Sequence, residues 1–455
     1  MHAFRILFLI LSSTLAWGQL EGRYLICQQS ESDGRARIVL LDSGPVQDLT
    51  REFFWAGMPA LSHDAKRILF AAKKRENGVT QIWEREIRAQ DNLRQITNLE
   101  VGARWPRYVG TLFHLNDTTP SPQILFVAKS LAGSSSALFV CRPDGSAMVQ
   151  ITFNMYDDGY PEVLPNGRIV YVSRRVDGSS HLLVVSNDGT DMHPFAFGRS
   201  TQAGPISIGT SRYWVLEGLP DSNLDGYPFG AQLASFSIRR PLGSYATAFN
   251  LPGGQLAQPL ELEDGRILIG ARPQDRQKMD LFWLDSSQAK LASPAFGQEG
   301  WHSFAALEVA LSQPVRGRSS VVNHQKNSGV LFCLDVFESM DVMAGMRGQE
   351  TSLRLEVISG DPETMKERSI GSIPVENDGS FHVRVPAEVP LRFILKSARD
   401  TTLAEQTTWT WVLPNESRGC IGCHENPELA VPNKLAQAIV KPAHDLSHPQ
   451  ETPHD

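Results

Sequence analysis

The feature that most constrains the fold is a four-part sequence pattern, called the phrase below, that recurs through the middle of the chain. A short strand with a proline leads to a turn with Asp or Asn and Gly, then to an Arg-Ile strand and a further strand that carries an aromatic residue. Clear copies begin at Pro59, Pro161 and Leu260, and weaker ones at Gln123 and Arg212. The copies are about 44 to 64 residues apart, a spacing typical of propeller blades. Because such small sheets bury their faces only against neighbouring sheets, the repeat predicts a β-propeller.

The copies resemble the WD40-like repeats of TolB-type propellers. We expect six or seven blades over residues 19–329 and an all-β fold, since this region has no long pattern of helical period. A flat β-sandwich is the structural alternative, but a sandwich does not need the same four-part phrase five times.

After residue 330 the phrase stops and a second unit is predicted. Its short segments alternate apolar and polar residues, which is typical of half-buried strands. They cover residues 329–337, 352–358, 380–385, 391–396 and 407–413. We therefore expect a small β-sandwich over residues 330–417.

Residues 1–18 predict an exported protein. His2 and Arg5 precede an apolar run over residues 6–11, and Ala16 and Gly18 form a small-residue cleavage pattern, as in a secretory signal peptide. The run is shorter than the roughly 20 residues of a membrane-spanning helix, which favours a cleaved signal peptide over the alternative of an uncleaved anchor. We expect a periplasmic or otherwise exported protein with no membrane span after signal cleavage. With 43 Lys and Arg against 50 Asp and Glu, the charge does not indicate a nucleic-acid partner.

The sharpest chemical signal is Cys420-Ile421-Gly422-Cys423-His424, the attachment pattern of haem c. In such a motif both sulfurs form thioethers with the haem and the adjacent imidazole lies under the iron. The sequence therefore predicts one covalent haem c on Cys420 and Cys423, with His424 as the iron ligand.

Three other interpretations of the motif stay open. A redox Cys-x-x-Cys normally belongs to a βαβ unit, which an all-β chain lacks. A structural zinc site needs a further ligand from elsewhere in the chain. A simple disulfide leaves His424 without a role.

The predicted haem-attachment tail, residues 418–455, has 31 residues after His424, too few to enclose a haem. We expect the sandwich, the propeller or another protein to cover it, and a short helix near residues 434–440. Trp409 and Trp411 are either covers for the haem or ordinary core residues. The distal iron ligand stays open, and the candidates are His444, His448, Met340, Met343 and Met346.

Two weaker patterns have structural alternatives. Asp221, Asn223 and Asp225 follow the first half of a calcium loop, but Gln232 replaces the Glu expected at the twelfth position, so an ordinary turn fits as well. Cys27 and Cys333 lie in strands near the two ends of the propeller. They either form a disulfide that closes the ring or remain buried thiols, as is expected of Cys141.

Several segments around and before the motif carry a family resemblance, namely residues 378–381, 385–387, 390–391, 414–418, 419–425 and 430–433. With these segments the C-terminal part of the chain resembles proteins related to the alpha subunit of hydrazine synthase. The resemblance implies the same order of leader, propeller and haem region, with the haem on Cys420 and Cys423. In that family's catalytic subunit the motif histidine is associated with zinc, and a tyrosine a few residues later binds iron. Here Glu428 stands near that position and the last tyrosine is Tyr245, so His424 is the simpler iron ligand.

Two function classes follow from these observations. The first is an exported c-type haem protein, an oxidoreductase or electron carrier, that acts with a redox partner protein or another haem subunit. The second is a non-catalytic secreted propeller that binds or scaffolds other molecules. The sequence identifies no catalytic residue, and calcium or zinc has weaker support than haem.

Overall fold

A computed structural model describes residues 20–89, 92–114, 121–196, 203–218, 227–241, 243–338, 347, 352–422 and 435–448. Every regular element in these ranges is a β-strand. The first twenty-four are β1 (Tyr24–Ser30), β2 (Ala36–Leu41), β3 (Gln47–Asp48), β4 (Trp55–Leu61), β5 (Arg67–Lys73), β6 (Gln81–Glu86), β7 (Leu93–Gln95), β8 (Ala103–His114), β9 (Ser121–Lys129), β10 (Ser136–Cys141), β11 (Val149–Gln150), β12 (Asp157–Val163), β13 (Ile169–Arg174), β14 (Ser180–Val185), β15 (His193–Ala196), β16 (Ala203–Ile208), β17 (Arg212–Glu217), β18 (Gln232–Ser237), β19 (Ala246–Asn250), β20 (Gln255–Glu261), β21 (Ile267–Arg272), β22 (Asp280–Asp285), β23 (Lys290–Phe296) and β24 (Trp301–Glu308).

These strands form a ring of small sheets. Five sheets each contain four consecutive strands, starting with β4, β8, β12, β16 and β20, and the sixth has the order β24-β1-β2-β3. The innermost strands contact one another around a closed circuit, from β4 through β8, β12, β16 and β20 to β24 and back to β4. Within the described ranges the propeller therefore has six blades. The antiparallel pairing of β24 with β1, from Tyr24 opposite Glu308 to Ser30 opposite Trp301, joins the two ends of the ring.

The turn in the repeated phrase explains why the phrase recurs. The side chain of Asn166 accepts a hydrogen bond from the Arg168 amide at 3.1 Å, and Asp264 accepts one from the Arg266 amide at 2.9 Å. The glycine between each pair has a positive φ, +84° at Gly167, a conformation that glycine adopts without strain. The local sequence thus makes the tight turn between the first two strands of a blade.

Aromatic side chains from several blades meet where the innermost strands approach one another. The rings of Trp105 and Tyr160 lie 5.0 Å apart, those of Trp105 and Tyr227 5.6 Å apart, and those of Tyr227 and Phe304 4.6 Å apart. Trp105 and Tyr160 have positive φ values of 54° and 51°, and each lies at a bulge of its strand. A bulge changes the direction of a side chain on its strand, and these four rings pack against one another.

The remaining strands build two further sheets and one addition to the propeller. They are β25 (Arg318–Ser320), β26 (Ser328–Cys333), β27 (Leu353–Asp361), β28 (Lys366–Val375), β29 (Phe381–Pro386), β30 (Leu391–Ser397), β31 (Thr402–Glu405), β32 (Ser417–Cys420) and β33 (His444–Asp445). Strand β25 pairs in parallel with β8. The sheets β32-β26-β29-β33 and β28-β27-β30-β31 pack as a sandwich around one apolar core that includes Leu331, Val357, Val383 and Leu395.

Two local predictions are wrong. Residues 407–413 form no strand, although the bridge between Leu391 and Thr410 keeps them beside β30. The described part of the expected helix, residues 435–440, is a turn. Two of its amides bond to the sandwich, since Gln437 N donates to Asp378 at 2.8 Å and Ala438 N to Ser380 Oγ at 2.9 Å. The Ile439 amide closes only a short turn on the Ala436 carbonyl at 3.3 Å.

Two tryptophans join the sandwich to the propeller. Trp411 is fully buried within the propeller's main core, and its indole N–H donates to the Gly189 carbonyl at 3.1 Å. Trp409 is buried between Met155 of the propeller and Ile358 of the sandwich. Both are therefore core residues of the contact between the two units.

Candidate functional site

The first cysteine of the haem motif ends an edge strand of the sandwich. Strand β32 pairs in parallel with β26, so that Cys420 lies opposite Cys333. The pairing continues beyond the strand, because Leu334 N donates to the Cys420 carbonyl and Asp335 N to the Ile421 carbonyl, both at 3.0 Å. Cys423 and His424 lie outside the described residues.

Gly422 is held where no other residue fits. A Cβ on this residue would lie 1.8 Å from the Glu338 carbonyl oxygen. The segment that contains Glu338 is held by the side chain of Asp335. This carboxylate accepts a hydrogen bond from the Phe337 amide at 3.0 Å and forms an ion pair with Arg347 at 2.5 Å. The second variable position of the motif is therefore part of a close backbone contact.

The surroundings of Cys420 fit a thioether-linked haem. Cys420 is partly buried and packs at the edge of the sandwich core. On the other face of the same sheet, the Phe332 ring packs over Gly419, where a Cβ would lie 2.4 Å from the ring. The donor set of the motif, two thiols and an imidazole, matches haem c chemistry.

His382 is a residue near the motif that sequence reasoning missed. Its ring lies 6.3 Å from that of Phe332, and its Nδ1 is 3.1 Å from the Lys441 carbonyl oxygen. It precedes the motif by 38 residues, and no spacing connects the two. The link is the register of the sheet, which places His382 opposite Phe332 and Phe332 opposite Gly419.

The tail returns to the same sheet. Strand β33 pairs in parallel with β29, with His444 opposite Val383. His444 and His448 are exposed. The methionine candidates, Met340, Met343 and Met346, lie outside the described residues.

The weaker sequence patterns have different outcomes. Asp221, Asn223 and Asp225 lie outside the described residues. In the part of the chain that the structure covers, His, Cys, Asp and Glu form no group of three or more suited to a metal ion. Cys27 and Cys333 are not joined, because they lie in the cores of different units. The Cys27 thiol accepts a hydrogen bond from the Tyr227 hydroxyl at 3.2 Å, and burial raises its pKa to about 12.

A cleft of about 600 Å³ lies between the propeller and the sandwich. Gln150 and Asn154 line it from the propeller, and Lys366, Arg368 and Glu388 line it from the sandwich. Sequence reasoning missed this cleft, since it forms only where the two units meet.

Behind the wall of this cleft is a buried carboxyl group. Asn154 Nδ2 donates to Asp158 Oδ1 at 3.2 Å and to Ser173 Oγ at 2.8 Å. Burial raises the pKa of Asp158 to about 7, although hydrogen bonds from Ser173, Thr152 and Asn154 act in the opposite direction. A pKa of this size means that the Asp158 carboxyl group changes its protonation state near neutral pH.

No helix of membrane-spanning length and hydropathy occurs in the described ranges.

Comparisons with known proteins show which proteins this chain is similar to. Residues 322–425 match the family described as the hydrazine synthase alpha subunit middle domain. Hydrazine synthase subunit alpha of Kuenenia stuttgartiensis is 21% identical over 514 residues, and the match covers 86% of this chain and 62% of that protein. The chain thus spans less than two thirds of the length of this relative.

One solved structure has the same fold as most of this chain. The structure of Kuenenia stuttgartiensis hydrazine synthase superposes with a TM-score of 0.76 at 18% identity, over 93% of this chain and 71% of that one. TolB from Acinetobacter baumannii aligns at a TM-score of 0.38 and 13% identity, over 61% of this chain and 67% of that one. The matched middle domain ends just after the haem motif and includes both of its cysteines. This all-β chain, a propeller followed by a sandwich, is related to the alpha subunit of hydrazine synthase.

Proposed function

We propose that this chain is an exported c-type haem protein with one haem c attached to Cys420 and Cys423 and with His424 as the iron ligand. The observation that carries the proposal is the position of Cys420, a partly buried cysteine on the edge strand of the sandwich and at the start of the attachment motif. The predicted signal peptide supports the proposal, because haem c is attached to proteins outside the bacterial cytoplasm and the chain must be exported to receive it.

The site supports a role in electron transfer or in small-molecule redox chemistry. Bound haem supplies a one-electron couple at its iron. The chain supplies a rigid edge, since the strand that ends at Cys420 is bonded to β26 and Gly422 is locked against the Glu338 carbonyl. Phe332 and His382 offer an aromatic surface beside this edge. The relative is named as a subunit, which supports a redox partner protein or another haem subunit.

A second candidate is a binding or scaffolding propeller without redox chemistry. The cleft between the two units favours it, because charged side chains of both signs, Lys366, Arg368 and Glu388, line a space large enough for a small molecule. In this alternative the motif cysteines carry no haem.

Covalent haem separates the two functions. The full chain, with its leader, is expressed in a bacterium that matures c-type haem, and haem is detected on the chain after denaturing electrophoresis. We expect a haem-stained band for the parent and for the control Cys141→Ser, and a strong loss for Cys420→Ser and Cys423→Ser. A parent without covalent haem would falsify the redox proposal in favour of the scaffold.

Binding of carbon monoxide to the reduced haem protein then distinguishes the two redox roles. An open iron position shifts its absorption spectrum and supports small-molecule chemistry. A six-coordinate iron with tight ligands leaves the spectrum unchanged and supports electron transfer. The variants His444→Ala and His448→Ala test the two tail candidates for the distal ligand, because loss of that ligand opens the iron to carbon monoxide.

A further inference from the structure

A third cysteine lies directly beside the attachment motif. Cys333 of β26 and Cys420 of β32 are partners in a parallel ladder. Neighbouring strands in a sheet are about 4.8 Å apart, and the Cα atoms of a disulfide are usually about 4.4–6.8 Å apart. The register therefore brings the two backbones within the range of a disulfide. The two sulfurs are not bonded to each other in this structure, where the Cys333 thiol donates to the Ile421 carbonyl at 3.8 Å.

Both thiols are on the same face of the sheet. Cys333 is 1% exposed within the sandwich core, and Cys420 packs against the same core from its edge. The preceding pair, Phe332 and Gly419, is on the opposite face, where the ring occupies the space above the glycine. Because side chains alternate along a strand, this arrangement directs Cys333 and Cys420 to one side.

The other described thiols are separated from this pair. Cys27 and Cys141 lie in the propeller core, and burial raises the pKa of each to about 12. Neither has a cysteine at an adjacent register position, because Cys27 lies opposite Ile38 and Ala305, and Cys141 lies opposite Ile124. Cys420 combines partial exposure with a second thiol at the adjacent register position.

We propose that Cys333 forms a disulfide with Cys420 in the haem-free chain and so acts as a third thiol of the attachment site. The consequence for haem rests on the function proposed above: a Cys420 bonded to Cys333 has no thiol for a thioether, so this disulfide must be reduced before haem attaches. Cys333 thus holds Cys420 in a protected, reversible form.

The reaction is a thiol–disulfide exchange with a small disulfide such as oxidised glutathione. The Cys420 thiolate, the more accessible of the two, attacks the oxidant, forms a mixed disulfide and releases one thiol of the oxidant. The Cys333 thiolate then attacks the Cys420 sulfur and releases the second thiol. The protein thiols lose two electrons and two protons, and the oxidant gains them.

Peptide mapping of the haem-free protein tests the proposal. Full-length protein from a host without haem c maturation is incubated with oxidised glutathione, alkylated, digested and analysed by mass spectrometry without reduction. We expect a peptide that links Cys333 to Cys420 to account for most of the chain, in the parent and in Cys141→Ser alike. A Cys420–Cys423 link, or alkylated Cys333 and Cys420, would overturn the proposal.

A second measurement separates this proposal from that of haem binding. Cys333→Ala and the smaller change Cys333→Ser are expressed with haem c maturation, and covalent haem per chain is compared with the parent. We expect an equal or higher haem content, with far-UV circular dichroism as the check on folding. If the parent carries no haem, the haem proposal fails while the linked peptide still decides the disulfide. If the parent carries haem but its haem-free form lacks the link, only the disulfide proposal fails.

Discussion

Replacement of Asp158 by Asn removes a buried ionisable group without a change of shape. Asp158 is fully buried in β12, and its Oδ1 accepts a bond from Asn154, a residue that lines the cleft between the propeller and the sandwich. An Asn side chain keeps this acceptor and directs an amide toward the neighbouring hydroxyls. The substitution therefore mimics the protonated form of the carboxyl group at every pH.

The size of the effect follows from the pKa. Burial raises the pKa of Asp158 from 3.8 to about 7 in the folded protein. Between these values the unfolded chain releases the proton while the folded chain keeps it, so the stability falls as pH rises. A difference of about three pKa units corresponds to about 4 kcal/mol. The stabilising contribution of the neutral carboxyl group is complete below pH 4 and lost above pH 7.

Urea denaturation from pH 4 to pH 8 measures this dependence. At pH 4 we expect Asp158→Asn and the parent to have similar free energies of unfolding, whereas at pH 8 the variant is more stable by up to about 4 kcal/mol. The control is Asp144→Asn in an exposed turn. There, hydrogen bonds from Ser146 lower the carboxyl pKa, so the substitution removes stability at pH 8.

A constant difference between Asp158→Asn and the parent over this pH range would refute the reasoning. So would a variant that is less stable than the parent at pH 8, because a buried group with a raised pKa destabilises the folded state once it is ionised.

Two further substitutions test the attachment edge and the contact between the two units. Gly422→Ala forces a Cβ against the Glu338 carbonyl. We therefore expect this variant to lose most of its covalent haem, measured on a denaturing gel. The control Gly44→Ala, at a residue with open space around it, should keep the parental haem content. We expect Trp411→Ala to lower the free energy of unfolding, measured by urea denaturation, by about 3–5 kcal/mol. The control Trp283→Ala, at a half-buried site, should lower it by less. If both variants lose the same free energy of unfolding, the assigned role of Trp411 is wrong.

The blades were predictable because their information is local. An Asp or Asn two residues before an Arg closes the turn with its own side chain, as at Asn166 and Asp264, and the Arg-Ile strand follows directly. The closure of the ring is not local. Strand β24 lacks the phrase, and its partner β1 lies far away in the sequence, so the pairing depends on all the blades between them.

The site was predictable only as a motif. Cys420, Cys423 and His424 form a pattern within five residues, but Cys333 and His382 come near Cys420 only through the order of strands in one sheet. The error at residues 407–413 has a related cause. The alternation of apolar and polar residues over this segment reflects the burial of Trp409 and Trp411 between the propeller and the sandwich, and not the pleat of a strand.

The closure of the ring by β24 also has a kinetic consequence. Tyr24 cannot meet Glu308 until the intervening chain has been synthesised, which takes roughly 15 to 60 s at about 5–20 residues per second. During that time the first blade lacks its innermost strand, so the chain stays incompletely folded. The cysteines of the attachment motif are translated after the closing strand, so the propeller already has all its strands when the motif is synthesised.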